Sequence, residues 1–395
     1  MEILREQFLR HVGQTSPSPM LVGVSRAEGV CFFTPEGKRY YDIISGVSVS
    51  NVGHGNAEVV GAVCRQARDY MHVMVYGEMI ERPQVRYAEL IARHLPAPLE
   101  SVYFVNSGAE AVEGALKLAK RFTGRRRMLA CRNAYHGSTH GAMSVMDYPA
   151  HSEAYGPLLP DVDWITFNDA DDLAKITSRT ACLIMEPVQG EAGIRLPEKG
   201  YLEAVRQRCD QTGTLLIFDE IQTGFGRTGS MFAMERYGVT PDIVCLAKAL
   251  GGGMPLGAFV SSGRIMECLT HDPALGHITT FGGHPVCCAA GLAAMEYIID
   301  NRLLEGVEAK GALFEELLAS HPAVKGIRRS GLLMAVELGS SDRLYRIMEL
   351  FKEHGILSDW FLFCDTAFRI SPPLTITEAE VREICAILLH CLDIL

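Results

Sequence analysis

A chain of 395 residues exceeds the usual size of a single core, and with 48% apolar and 21% charged residues it reads as a globular protein of two domains with a large buried interior. Its net charge of -10 lacks the basic face that a nucleic acid or an anionic membrane requires, so small-molecule substrates are the expected partners. The twelve cysteines are scattered without C-x-x-C spacing, mostly inside apolar runs such as Ala181-Cys182-Leu183-Ile184, as expected of reduced core thiols in a cytoplasmic protein.

The N-terminal stretch Met1-Glu2-Ile3-Leu4-Arg5-Glu6-Gln7-Phe8 carries acids where an export signal would be basic, and its apolar spacing predicts a short amphipathic helix. Short apolar runs then alternate with longer helical patterns. The runs lie at 102–105, 128–131, 182–185, 215–218, 243–246 and 256–260, and this alternation predicts an α/β domain with a mainly parallel sheet covered on both faces. We assign it to residues 46–290. After Gly291 the pattern changes to a helix through Met295, Ile298 and Ile299, a strand at 332–338 and a last helix from Glu378. That change predicts a smaller α+β domain over 291–395, joined by the segment 1–45. The longest uncharged stretch, 274–295, is interrupted by histidines, threonines, glycines and Pro285, which argues against a membrane span.

Within this frame several groups carry chemistry. Ser107-Gly108-Ala109-Glu110 follows the first of the strands and opens a helix whose Val112, Ala115, Leu116 and Ala119 share a face. Ser107 and Glu110 have capping-box spacing, and free N–H groups beside Gly108 would favour an anion such as phosphate, although a plain capped helix has the same pattern. Tyr135-His136-Gly137 follows another strand and offers an aromatic lid, or ordinary rim packing. Asp219 ends an apolar run, where strand ends of a parallel sheet line a ligand crevice. If the strand continues, Asp219 and Ile221 point to one side, with Gln222 close by. The bland alternative is a solvated acid pair.

Gly224-Phe225-Gly226-Arg227-Thr228-Gly229 matches G-x-G-x-x-G, which raises a nicotinamide-dependent oxidoreductase; here, however, four residues separate it from the strand and it reads as a loop. No Walker A, H-E-x-x-H or G-x-S-x-G pattern occurs, and no metal is expected. Lys248 lies at the end of an apolar run, directly before Gly251-Gly252-Gly253 in Lys248-Ala249-Leu250-Gly251-Gly252-Gly253. A buried amine loses hydration, so its neutral form becomes accessible and can form an imine with an aldehyde. A lysine and an aspartate so placed are what pyridoxal phosphate requires, one for its aldehyde and one for its ring nitrogen. Arg369, among apolar residues in Phe368-Arg369-Ile370-Ser371-Pro372-Pro373, needs either a substrate carboxylate or a structural acid.

Read together, the motifs Asn106-Ser107-Gly108-Ala109-Glu110-Ala111, Glu186-Pro187-Val188-Gln189-Gly190-Glu191, Asp219 through Gly229, Lys248 through Gly253 and Thr280-Phe281-Gly282-Gly283 resemble the class III aminotransferases of the ornithine, acetylornithine and 4-aminobutyrate type. The resemblance implies fold type I, with a seven-stranded large domain, a smaller domain and a homodimer whose sites lie at the subunit interface. It implies that Lys248 carries pyridoxal phosphate, Asp219 pairs with the ring nitrogen and Gln222 contacts the ring hydroxyl. Tyr135 and Ile221 would sandwich the ring, while Ser107, Gly108 and Ala109, with Thr280 of the neighbouring subunit, would hold the phosphate. Arg369 looks like the substrate-carboxylate clamp, Glu191 like the acid that neutralises it for a distal-amine donor, and Glu186 like a supporting group. The implied reaction is ping-pong transfer of an amino group from an amino acid to a 2-oxo acid. An aminomutase or racemase of the same fold would reuse these residues without net transfer. Ser138 stands where the family has an arginine for a second substrate carboxylate, which leaves pyruvate-type acceptors open, and His284 replaces a usual asparagine.

Overall fold

The computed structural model describes residues 2–75 and 77–395 and contains three sheets. An exposed helix, Glu2–His11, precedes three short strands, β1 (Arg26–Glu28), β2 (Cys31–Phe33) and β3 (Arg39–Asp42). The central sheet comprises β4 (Ser101–Val105), β5 (Arg127–Cys131), β6 (Val162–Ile165), β7 (Thr180–Met185), β8 (Leu215–Asp219), β9 (Ile243–Leu246) and β10 (Gly257–Ser261). Its order is β4-β10-β9-β8-β7-β5-β6, parallel throughout except that β10 runs against both neighbours. The seven strands confirm the expected mainly parallel α/β architecture.

The buried strands are apolar along their length because both faces are covered. Leu215 and Ile217 of β8 enter the core under helix Gly108–Thr123, whereas Leu216 and Phe218 enter the opposite core with helices Tyr201–Thr212 and Pro285–Asp300. Val112, Ala115, Leu116 and Ala119 form the buried face of the first of these helices, as their spacing predicts. Strand β6 escapes the apolar-run reading for a physical reason. It is an edge strand, with a neighbouring strand on one side only, and Asp163 in its middle pairs with Arg127 Nε at 2.8 Å. Helix Pro285–Asp300 begins earlier than the run through Met295 indicates, so the junction drawn at residues 290 and 291 falls inside it.

The second unit is built on β11 (Gly326–Ser330), β12 (Leu333–Glu337), β14 (Trp360–Phe361) and β15 (Cys364–Ile370), in the antiparallel order β11-β12-β15-β14, while β13 (Ile356–Leu357) pairs in parallel with β3. Through that pairing Val30, Cys31, Tyr41 and Ile43 share a core with the C-terminal helices. The last helix, Glu378–Ile394, starts where Thr377 and Glu380 cap each other: Glu380 N–H donates to Thr377 Oγ1 at 3.2 Å, and Thr377 N–H donates to Glu380 Oε2 at 2.8 Å.

The G-x-G-x-x-G segment is a series of turns after β8, not a strand-to-helix turn, and it acts as a clasp. Its Arg227 is fully buried and donates to Leu332 O at 3.1 Å, to Pro372 O and to Asn51 Oδ1, joining the large sheet's loop to the smaller unit. Burial pushes its pKa down to about 9, with Asp42 pulling the other way. Replacing Arg227 with methionine would leave two buried carbonyls without donors, at a cost of about 3 kcal/mol. The expected result is a markedly lower urea midpoint for Arg227→Met than for the parent.

Candidate active site

Five chain segments deliver polar groups to the carboxyl ends of the parallel strands, where loops leave the sheet. Strand β8 ends at Asp219, and β9, whose Cys245 is paired with Asp219, leads two residues later to Lys248. The loops after β5 and β7 bring Tyr135 and His136, then Glu186 and Glu191; the turn after β4 brings Ser107, Gly108 and Ala109. All of these line one cavity of about 540 Å³, as do Ile221 and Gln222. Arg369 stands behind Glu191, and Thr280 lies on the exposed surface outside this cavity.

At one end the first turn of helix Gly108–Thr123 opens into the cavity with its N–H groups uncommitted to earlier residues of the helix. Ser107 Oγ accepts from Glu110 N–H at 3.2 Å, but the reciprocal half of the capping box is absent. Glu110 Oε2 instead accepts from the N–H and Nδ2 of Asn106, both at 2.8 Å, so the acid braces the turn one residue earlier. Gly137, at φ 127°, packs so closely here that a Cβ would sit 2.6 Å from Ala109 Cβ. That contact fixes the Tyr135 loop over the helix start.

In the middle, Asp219 is held from two sides. Its Oδ2 lies 2.7 Å from His136 Nδ1 and its Oδ1 accepts from Ile221 N–H at 3.0 Å. An ionised carboxylate only accepts, so Nδ1 carries the proton. Sequence reasoning missed His136 as a partner, although it stands beside the nominated Tyr135. The strand does not continue past Asp219; Ile221 therefore owes its position to this turn and not to the pleat, and its Cδ1 approaches the backbone of Gly108. Gln222 Nε2 is buried without a hydrogen-bond partner. Its Oε1 passes Gly190 so closely that a Cβ there would lie 1.7 Å away, which only glycine permits.

Lys248 adopts φ 51°, a left-handed backbone that costs a non-glycine residue roughly 1–2 kcal/mol. Burial lowers its pKa, Glu191 opposes that shift and Arg369 adds to it. The Glu186 carboxyl is pushed up to about 8, first by burial and then by Asp219, while its bonds from Gly190 N–H (2.7 Å) and Tyr135 N–H (3.4 Å) work against the shift. Arg369, 1% exposed, donates from Nη2 to Glu191 Oε1 at 2.7 Å, and its Nε lies 3.0 Å from Asp359 Oδ1. Asp359 carries no sequence signal and was not nominated. Ser138 is exposed, its Oγ 3.3 Å from Tyr135 Oη.

This arrangement fits pyridoxal phosphate. A helix start suits its phosphate, the braced Asp219 carboxylate suits a protonated ring nitrogen, the unpaired Gln222 amide has a donor to spare for an oxygen, and Lys248 suits an aldehyde.

Because the Glu186 carboxyl titrates near 8 in the fold, against an ordinary carboxylate range when unfolded, its contribution to stability is full below that range and is lost as the pH rises towards 8. Glu186→Gln removes the titration. Its urea midpoint should therefore gain on the parent's between pH 5 and pH 8, which denaturation at the two values measures.

Residues 12–392 match the family model described as aminotransferase class-III. An acetylornithine aminotransferase of Methanosarcina mazei is 39% identical over 389 residues, spanning 96% of this chain and 93% of that one. A putrescine aminotransferase of Pectobacterium atrosepticum is 40% identical over 368 residues, spanning 89% of this chain and 77% of that one. The ornithine aminotransferase of Toxoplasma gondii, in a structure with partial occupancy of PLP at its active site, superposes with a TM-score of 0.91 at 31% identity over 99% of this chain and 94% of that one.

Proposed function

Since the chain belongs to the class III aminotransferase family, we propose that its site moves the distal amine of an ornithine-like or acetylornithine-like donor to a 2-oxo acid, with Lys248 as the proton carrier. Pyridoxal phosphate is its cofactor, and the transfer proceeds in two half-reactions. The observation that carries the reading is the meeting of Lys248 and Asp219 in one cavity at the ends of adjacent strands.

When bound, the cofactor supplies an aldehyde for the amine and an electron-withdrawing ring that accepts the electron pair left on the substrate carbon. The protein supplies the rest. Lys248 Nζ, whose ammonium form is disfavoured by loss of hydration, takes the proton from the carbon bearing the donor nitrogen and later returns one. Asp219, oriented by His136 and by Ile221 N–H, holds a proton on the ring nitrogen. The first turn of helix Gly108–Thr123 would anchor the phosphate, Tyr135 and Ile221 would flank the ring, and the unpaired Gln222 Nε2 would donate to its hydroxyl oxygen. Glu186 accepts from Gly190 and Tyr135 and so shapes the two loops that border the ring.

A second copy of the chain completes the site in this reading. Thr280 is exposed, as are Ile278 and Phe281, and the Phe281 ring lies 4.8 Å from that of His72, whose chain neighbours Met71 and Val73 are exposed, an apolar surface that a dimer partner would cover. His284 stacks on His72 there with centroids 5.6 Å apart. Twelve free thiols and the absence, among the described residues, of a helix able to cross a membrane support a cytoplasmic enzyme.

Glu191 is the gate of this scheme. Paired with Arg369 it neutralises the clamp for a distal-amine donor, and swung aside it frees the guanidinium for an α-carboxylate. In stopped-flow half-reactions with ornithine, N-acetylornithine and glutamate, Glu191→Ala should slow the distal-amine reaction at least tenfold more than the reaction of an α-amino group; equal slowing of both would refute the gate. Asp219→Ala should retain cofactor yet lose on the order of a thousandfold in turnover, in line with the removal of one preorganised charge from a dry site. Turnover at the parental rate would sink the assignment.

A further inference from the structure

The Arg369 guanidinium has two carboxylates, and only one of them faces the substrate cavity. Glu191 lines the cavity wall and takes a hydrogen bond from Nη2 at 2.7 Å. Asp359 lies outside that wall, its Oδ1 3.0 Å from Nε but without a hydrogen bond. The two also differ in their freedom to leave. Glu191 has two methylenes and lines the cavity, held there besides Arg369 by one backbone N–H, that of Leu362 at 3.2 Å from its Oε2. Asp359 has one, and its segment is zipped to the strand that carries the arginine: Arg369 N–H donates to Asp359 O at 2.9 Å, and Ser358 Oγ donates to Arg369 O at 2.8 Å. Trp360 O accepts from Nη2 at 3.3 Å, and the Phe361 ring stacks 4.6 Å from the guanidinium carbon, which further pins this stretch.

Charge counting then separates this site from a free arginine clamp. With Glu191 swung aside, Arg369 and Asp359 sum to zero, so an incoming α-carboxylate meets no net positive charge at its receptor. Ser138 provides no second cation, and Lys248, the lysine that lines the cavity, has its ammonium form disfavoured by burial. A donor that presents only an amine at this end loses nothing by the arrangement.

We propose that Asp359 is a standing counter-charge on Arg369 that weakens carboxylate binding at that end of the site, and so biases the enzyme towards donors that present an amine, and no carboxylate, to Arg369. The proposal rests on the reading of Arg369 as the substrate clamp. Four charged groups face Asp359: Arg369, Glu191, Lys248 and Asp42, the last itself paired with His54 Nε2 at 2.8 Å. Burial raises the Asp359 carboxyl to about 6, Arg369 pulling it back and Glu191 pushing it further up. The counter-charge is therefore present above that pH and disappears as the pH falls through it, so carboxylate affinity should rise on acidification.

The test uses the holoenzyme and Asp359→Asn, which keeps the shape and removes the charge, with Asp359→Ser as a second variant and urea midpoints to verify folding. Two readouts are taken at pH 8 and pH 5.5: the KM for pyruvate in the second half-reaction, and the calorimetric Kd of isovalerate, a carboxylate that cannot react. At pH 8 both should fall roughly five- to tenfold in the variants, the scale of one screened charge at a partly buried pair. The ratio of kcat/KM for pyruvate to that for a distal-amine donor should rise, and the difference from the parent should close at pH 5.5. Unchanged or weaker isovalerate binding at pH 8, or a gain that persists undiminished at pH 5.5, overturns the proposal. A parent enzyme that transfers no amino group overturns the donor and acceptor reading instead, and the isovalerate measurement still decides the effect of Asp359.

Discussion

Charges placed in a cavity away from water survive only when each meets an opposite one, and that constraint organises this protein. Arg369 is almost wholly buried and is sustained by Glu191 and Asp359. Asp219 is sustained by His136 and by a backbone N–H. Lys248 has no such tight partner, and there burial wins: its ammonium form is disfavoured. Glu186, with an acid beside it and only backbone donors in support, tips the same way and holds its proton. The site thus contains groups pushed to opposite protonation states by their surroundings, which is what proton transfer near neutral pH needs.

Holding those groups requires a rigid frame, and the parallel sheet provides it. Strands β8 and β9 are adjacent and fully buried, so the residues that follow them emerge at fixed spacing from a core that does not shift. The loops above the sheet are located by close approaches in place of regular structure. Gly137 lets the Tyr135 loop rest on the helix start, and Gly190 lets Gln222 pass beneath the Glu186 loop. Lys248 itself sits in a strained backbone conformation that the surrounding packing maintains.

The smaller unit is not an accessory to this frame, because it contributes Arg369 and Asp359. Its position relative to the sheet therefore matters for the chemistry. Arg227 secures it by donating to carbonyls of both β12's leading turn and the segment after β15, and to Asn51 near the N-terminus. A segment that looks like a dinucleotide-binding fingerprint in one dimension is, in three, the clasp that sets the distance between the two halves of the site.

Local pattern by itself determined a good deal. Apolar runs bounded by helical periods specify the parallel sheet, because a strand covered on both faces must be apolar throughout, and Lys248 and Asp219 stand out as charged residues at the ends of such runs. Ser107, Tyr135, Gln222 and Arg369 were nominated from their local surroundings, and Glu191 from the resemblance of the ordered motifs to the class III aminotransferases. Tertiary structure alone decided the rest. Strand β6 was hidden because an edge strand tolerates a charge in its middle, and the position of Ile221 because a turn, not a pleat, places it. His136 and Asp359 were invisible as partners because they lie 83 residues from Asp219 and 10 from Arg369 along the chain, with no periodicity to connect them. An ion pair is a statement about distance in space, and a burial-driven pKa is a statement about absent water; neither is written in the spacing of residues along a chain.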